Sequence, residues 1–352
     1  MATNDREEDG FELTCSRQLP NWLAASGSSI AFTTYQAGKL FFLGVKSDGR
    51  LSVFERTFPR SMGLAVSSDG RTLALATQFQ IHRFDNLMQA GQVSSDGFDA
   101  VYAPHAGWVT GDVDAHDVGF GRDGRPLFVN TLFSCIASVS DSHSFKPVWR
   151  PPFVSRLAAE DRCHLNGFAL QDGEPRYASA VSRSDVADGW RDRRVDGGVI
   201  IDVKSGEIVA ERLSMPHSPR LHGDRLWLLN SGAGELGFVD RKSGHFEAVA
   251  FCPGFARGLA FIDDVAIVGL SLPRDNHTFE GLPLAQSLRT RDTTARCGLA
   301  VFDLKSGGMI GWVRIEGLVR ELYDVAVLPN VGRPSLIGFK SDEVRFVISI
   351  DE

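Results

Sequence analysis

The sequence predicts an all-β chain folded as a seven-bladed propeller, with six blades as the alternative. Three observations predict it. Helical periodicity is nearly absent. Short apolar runs of strand length alternate with Gly, Asp and Ser turns. Two kinds of turn recur in alternation along the chain. The first kind is strand, Lys-Ser-Gly turn, strand: VIIDVKSGEIVAE (199–211), LGFVDRKSGHFEAVA (236–250) and LAVFDLKSGGMIGWV (299–313). The second is an acidic Gly turn that precedes a further strand: SSDGR (67–71), RDGRP (122–126), QDGEP (171–175) and HGDR (222–225). The repeating unit therefore has four strands. The acidic Gly turn joins the first to the second, and the Lys-Ser-Gly turn joins the third to the fourth, which is a propeller blade.

Seven first strands follow in order, beginning at Asn21 (NWLAAS), Met62 (MGLAVS), His116 (HDVGF), Asn166 (NGFAL), Ser218 (SPRLHG), Arg257 (RGLAF) and Tyr323 (YDVAVL). The last blade has too little chain for a fourth strand before Glu352. FELTCSR (11–17) is therefore expected to return, complete that blade and close the ring, so that no sheet edge is left open. Residues 1–10 are expected to be a disordered tail and 11–352 a single propeller domain, because no linker or composition break divides the chain.

A net charge of −7 with no cluster of Lys and Arg argues against nucleic acid or an anionic membrane as partner. MATNDREEDG has neither a basic nor an apolar segment of signal type, and the apolar runs are far short of a membrane span, so the cytoplasm is the expected compartment. Five scattered cysteines with no CxxC pair read as reduced thiols.

First strands line a propeller's central channel, and their entry points share one mouth. Most of the seven entry residues are polar, and His164, Asp117, His217 and Asp324 adjoin them. His116, His164 and His217 come from three consecutive blades at similar height, which suits a three-His metal centre with open positions. His222 and His105 are further ligands to consider. Imidazole-rich coordination points to a divalent transition metal, Fe(II) ahead of Cu or Zn. The plain alternative is that these histidines are hydrogen-bonding ties between blades. Insertions at 182–198 and 272–298, between second and third strands, are expected to flank the same mouth as walls or a lid.

Arg257 is placed to grip a substrate carboxylate, with a salt bridge to Asp324 as the alternative. Asn21, Asn166, Asp324 and Arg220 complete the expected substrate-binding set. Asp117 would orient His116 from behind, Tyr323 would donate a proton, and Asp117 or Glu321 would move protons. No Walker loop, GxGxxG, HExxH or GxSxG occurs, so no nucleotide cofactor is expected.

The stretches NTLFSCIA (130–137), WRPPFVSRLAAEDRCHLNGFAL (149–170), MPHSPRLHGDRLWLLNSGAGELG (215–237) and PGFARGLAF (253–261) resemble an uncharacterised bacterial family of conserved hypothetical proteins. The resemblance spans essentially the whole chain. That family carries only an unknown-function label, so the resemblance implies no activity, but it draws attention to His164, Asn166, His217, Arg220, His222 and Arg257. More distantly, histidines at inner-strand entries are similar to the carotenoid-cleaving oxygenases, propellers whose axial iron is held by four histidines. The calcium-dependent lactonase propellers use carboxylates and amides, a set to which Asn21, Asn166 and Asp324 would belong. The neighbouring histidines favour a softer metal than calcium.

The expected function is a metal-dependent oxidoreductase of oxygenase or oxidase type, acting on a small or peptidyl substrate that bears a carboxylate. Three alternatives stand beside it: a Zn-dependent hydrolase or lyase at the same site, a non-catalytic propeller that binds a peptide or protein, and a metal-free lyase or isomerase using histidines as acid and base.

Overall fold

The computed structural model describes residues 10–273 and 280–350. The expected tail 1–10 lies outside these residues except for Gly10, and so do 274–279 of the expected insertion 272–298. The chain forms six sheets of four or five strands arranged as a propeller. The innermost strands are Leu64–Val66, Ala115–Phe120, Leu165–Gln171, Pro216–His222, Phe255–Ile262 and Leu322–Pro329. These define blades 1 to 6 in that order, and each inner strand packs against its neighbours round the axis. Both turn types fall where the repeat places them, for instance Gly223-Asp224 between the first and second strands of blade 4 and Lys242 to Gly244 between its third and fourth.

Six of the seven expected entry segments are inner strands; the exception is NWLAAS. Leu19–Ala25 is a helix with Pro20 in its first turn, and Leu19 and Leu23, one helical turn apart, are both fully buried. They pack on Ile30, Phe32, Phe41 and Leu43. Asn21 is exposed on that helix, outside the channel. Ring closure also differs from expectation. Blade 6 takes its inner strand from Leu322–Pro329 and its other three from Ser28–Thr34, Lys39–Val45 and Leu51–Thr57. The pairing of Ile30 with Val327 and Ala31 with Ala326 closes the circle. With blade 6 already full, Phe11–Cys15 instead adds a fifth strand to the outer edge of blade 5, from Phe11 opposite Gly317 to Cys15 opposite Val313.

Hydroxyl side chains tie neighbouring blades at one level. Thr33 donates to the Met62 carbonyl (2.6 Å), Thr131 to Leu165 (2.7 Å), Ser231 to Ala256 (2.6 Å) and Ser271 to Leu322 (3.1 Å). The inner strands of blades 2, 5 and 6 each carry a bulge in which 116–117, 257–258 and 323–324 stand against one partner position. Where the bulges lie, the strands approach closely. A Cβ on Gly63 would meet the Asp117 backbone at 3.0 Å, and one on Gly258 would meet Val325 N at 2.5 Å.

Below this level Arg220 crosses the axis. Its guanidinium makes paired hydrogen bonds to Asp117 (2.8 and 3.0 Å) and lies 3.7 Å from Asp324. Three alternate blades, 2, 4 and 6, are thereby joined. Asp117 also accepts from Phe168 N, and Asp324 accepts from Leu64 N and Val325 N. Burial, reinforced by the nearby Asp117 charge, pushes the Asp324 carboxyl up to about 7 against the pull of Arg220. Removing the cation would strand two buried acids, and breaking a buried pair costs roughly 3–5 kcal/mol. Arg220→Met is therefore expected to lose about that much stability at pH 8 in urea unfolding, with part recovered by adding Asp324→Asn.

In the outer layer His82 is buried among Phe58, Phe84 and Phe339, and burial lowers its pKa to about 4. Between pH 6.5 and 4 the unfolded chain takes up a proton that the folded imidazole refuses, so this contribution to stability is lost as pH falls through that window. His82→Phe should reduce the stability difference between pH 7 and pH 5 by roughly 1–2 kcal/mol. Unfolding midpoints of the two proteins at both pH values would show it.

Candidate active site

The chain enters several inner strands through left-handed backbone, with φ of 52° at Asp114, 49° at His164 and 46° at Met215. Asp161 shares this conformation at 39°. Each such residue costs of order 1 kcal/mol or more, and such strain persists where the surroundings hold it in place. Its effect here is to bring side chains from the entry loops over one mouth, around a cavity of about 180 Å³. His116, His164, Arg257 and Tyr323 line it, together with Asp114 and Asp161. Trp190 and Arg191 of the 182–198 insertion line it as well, as the strand directions predict.

The register corrects one alignment. Asn130 pairs with Ala115 and Asn230 pairs with Pro216, so His217, not Ser218, is the counterpart of His116. Their hydrogen bonds match. His116 Nδ1 lies 3.0 Å from the Asp114 carbonyl, and His217 Nδ1 lies 2.8 Å from the Met215 carbonyl. A carbonyl only accepts, so each Nδ1 carries the proton and each Nε2 presents a lone pair. Burial lowers the pKa of His116 to about 4 and takes His217 well below 6.5, so both rings are neutral near pH 7.

Both lone pairs face Arg257. Its Nε donates to His217 Nε2 at 3.2 Å and its Nη2 lies 3.4 Å from His116 Nε2. The guanidinium also stands over the Tyr323 ring, 4.4 Å from the centroid. Asp324, the sequence-level alternative partner, is turned to Arg220 instead, and among the described residues no carboxylate pairs with Arg257. The Tyr323 hydroxyl is buried without a hydrogen bond, and burial pushes its pKa well above 10, so it remains a proton donor.

The third histidine is arranged differently. His164 Nδ1 lies 2.7 Å from Asp161 Oδ2, which also accepts from Trp190 Nε1 at 2.8 Å. Burial would raise the Asp161 carboxyl, but the charge and hydrogen bond of His164, with that of Trp190, outweigh it and hold it below its usual value. Trp190 stacks on the imidazole (4.1 Å, 28°), and His116 meets it edge-on at 4.9 Å. With Nδ1 engaged by a carboxylate, Nε2 of His164 is a basic nitrogen facing the cavity. The two insertions meet beside it. Arg194 donates to the Glu280 carbonyl, and Leu282 and Leu284 pack with Trp190, Met215 and Phe255.

The other expected site residues lie elsewhere. Asp117 does not support His116; it belongs to the axial tie with Arg220 and Asp324. Arg220 and His222 line a separate cavity at the opposite mouth, where His222 stacks on Phe261 and bonds to the Asp263 carbonyl. His105 sits on an outer strand between Asp85 and Ser349. Asn166 donates to the Pro216 carbonyl and so links blades 3 and 4, and Glu321 is buried outside the cavity lining. Sequence reasoning missed Asp114, Asp161, Trp190 and Tyr35. Only the spacing of the first two, two and three residues before a histidine, hinted at them.

A metal held by the three histidines needs their Nε2 lone pairs to meet at one point. Arg257 takes two of the three, and among the described residues no group of three His, Cys, Asp or Glu side chains is gathered to hold an ion. The arrangement does not fit the expected Fe(II), Cu or Zn centre.

Fold and site together define a six-bladed β-propeller with a histidine- and arginine-lined polar cavity at one mouth. The chain belongs to the family described as Domain of unknown function (DUF4915), which matches residues 17–337. No curated protein matches it. Among solved structures it is similar to a chain of a nidogen/laminin complex, at 12% identity and a TM-score of 0.53, covering 86% of this chain and 98% of that one. It is also similar to TolB from Acinetobacter baumannii, at 13% identity and a TM-score of 0.50, covering 86% and 67%. At such identities the likeness shows the propeller fold alone. No described helix is long and apolar enough to cross a membrane.

If Arg257 is the anion-binding group, an excess of acetate or formate over chloride at constant ionic strength should raise the melting temperature of the wild type by about 1–3 °C. Arg257→Gln should show no such shift in the same thermal scan.

Proposed function

We infer that the protein is a metal-independent enzyme that moves a proton on a small carboxylate-bearing substrate, a lyase or isomerase with His164 as its base. The observation that carries this reading is Arg257: a guanidinium at the cavity wall, with no carboxylate partner among the described residues, held by two neutral imidazoles. A fixed cation with donors unspent is a receptor for an anion, and arginine's fork matches a carboxylate.

The substrate carboxylate binds Arg257, with the Tyr323 hydroxyl as a further donor. His164 Nε2 takes a proton from the adjoining carbon. The electron pair of the broken C–H bond moves onto the carboxylate oxygens, where Arg257 faces the added charge. Asp161 stabilises the imidazolium, and Trp190 fixes the ring. The pair then takes back a proton at carbon, giving an isomerase, or expels a group from the next carbon, giving a lyase. His116 and His217 stay neutral throughout and hold Arg257.

The test is wash-in of deuterium from D₂O at the carbon beside the carboxylate, followed by NMR across short-chain carboxylic acids. Exchange should survive chelators and fall by about 10²–10⁴-fold in His164→Gln. Stoichiometric Fe, Cu or Zn in untagged protein, with turnover lost on chelation, would overturn this reading in favour of a metal-centred enzyme. No exchange on any acid, with tight capture of a peptide or protein at this mouth, would favour a binding propeller.

A further inference from the structure

Among the described residues, the charges around the cavity do not balance once a carboxylate sits on Arg257. Arg191 is paired with Asp188, and Arg60 with Asp112. His116 and His217 are neutral, with their protons on carbonyls. Two acidic side chains remain in the lining. Asp114 is about one-third exposed, and its Oδ2 is 3.5 Å from His116 Nδ1, a proton already shared with the Asp114 carbonyl and Thr131. Asp161 spends both its hydrogen bonds on Oδ2, and its Oδ1 is buried with no partner. With His164 neutral, as a base must be, a plain carboxylate ligand would therefore face, among the described residues, one cation and two acids, one of them with an unsatisfied acceptor.

We propose that the substrate is a small zwitterion, a free α-amino acid, with its carboxylate on Arg257 and its ammonium on the side of Asp114 and Asp161. This rests on the anion-binding reading of Arg257 and adds the second charge. The ammonium brings the donors that Asp161 Oδ1 and Asp114 lack. The α carbon, bonded to both charged groups, then lies between Arg257 and the acids, on the side of His164. Size agrees: about 180 Å³ holds the volume of roughly six water molecules, enough for a free amino acid with a short side chain and too little for a folded peptide segment.

The wild-type full chain would be titrated with glycine, L-alanine, D-alanine and L-serine, and with propionate, lactate and ethylamine at matched ionic strength, following binding by calorimetry and ligand NMR. At least one amino acid should bind about tenfold or more tightly than propionate, lactate and ethylamine, because an analogue that lacks one charge leaves a buried group unpaired. Asp114→Asn and, independently, Asp161→Asn should erase the preference over propionate. Arg257→Gln should lose every carboxylate. Propionate or lactate equal to the amino acids in the wild type would overturn the zwitterion and leave the anion site standing. Carboxylate binding indifferent to Arg257→Gln would overturn both, and so would no binding by any of the seven probes.

Discussion

Arg220 holds three blades of a six-bladed ring together across the axis, and the site at the mouth depends on that tie. A propeller's inner strands are joined to their own sheets by backbone hydrogen bonds but meet one another only through side chains. Here Arg220, Asp117 and Asp324 come from blades 4, 2 and 6, and their carboxylates also accept backbone N–H groups of blades 3 and 1. One guanidinium thus sets the spacing of strands whose entry residues are His116, His217 and Tyr323. The two axial arginines are opposites. Arg220 has two acids and is satisfied, whereas among the described residues Arg257 has only lone pairs and a ring face.

Round the ring, the bulge-level residues alternate: Gly63, Asp117, Gly167, Ser218, Gly258, Asp324. Each polar member bonds forward into the next blade, Asp117 to Phe168 N, Ser218 to Gly258 N and Asp324 to Leu64 N. The glycines leave room for that approach; a Cβ on Gly167 would meet Asp117 Oδ2 at 2.9 Å. These bonds tie the blades in three pairs, 6 with 1, 2 with 3 and 4 with 5; the hydroxyls of Thr33, Thr131 and Ser231 join the same pairs, while Ser271 and Asn166 bridge from 5 to 6 and from 3 to 4. Each pair presents one residue of each kind at the mouth: Tyr323 with Met62, His116 with Asn166, His217 with Arg257. The rough threefold repeat is broken at one place, where Arg257 stands in the role of Met62 and Asn166, and that break makes the floor of the cavity cationic.

Much of this was legible in the sequence. The turn types, six of the inner strands, the side on which the insertions emerge and the gathering of His116, His164 and His217 all follow from a strand period of two and a four-strand repeat. Taking Ser218 as an entry residue hid the alternation, because it shifted blade 4 by one position. Other errors have simple geometry behind them. His222 is five residues from His217 along one strand, or about 16 Å, which carries it to the opposite mouth. Asp117 follows His116 directly, but its carboxylate is engaged by Arg220 and Phe168 N and does not support that imidazole. Closure was misassigned because Leu19–Ala25 reads as apolar chain until Pro20 and the Leu19–Leu23 spacing are weighed as helix. Asp114, Asp161 and Trp190 reach the cavity through left-handed residues and an insertion, for which apolar periodicity carries no signal.

The pairing of charge supports function at this mouth over a purely structural role for its histidines. A ring needs His116 and His217 only as hydrogen-bonding spacers, and uncharged Tyr323 fills the equivalent place in the third pair. A structural role explains neither an arginine with no counter-ion among the described residues nor a Trp190–Asp161–His164 chain that fixes one imidazole and leaves its second nitrogen on a cavity. Unpaired charge lowers stability, and it persists where a ligand's binding offsets it. At the axial tie the same residue types are fully paired, so the chain has the means to satisfy an arginine and does not use them at Arg257.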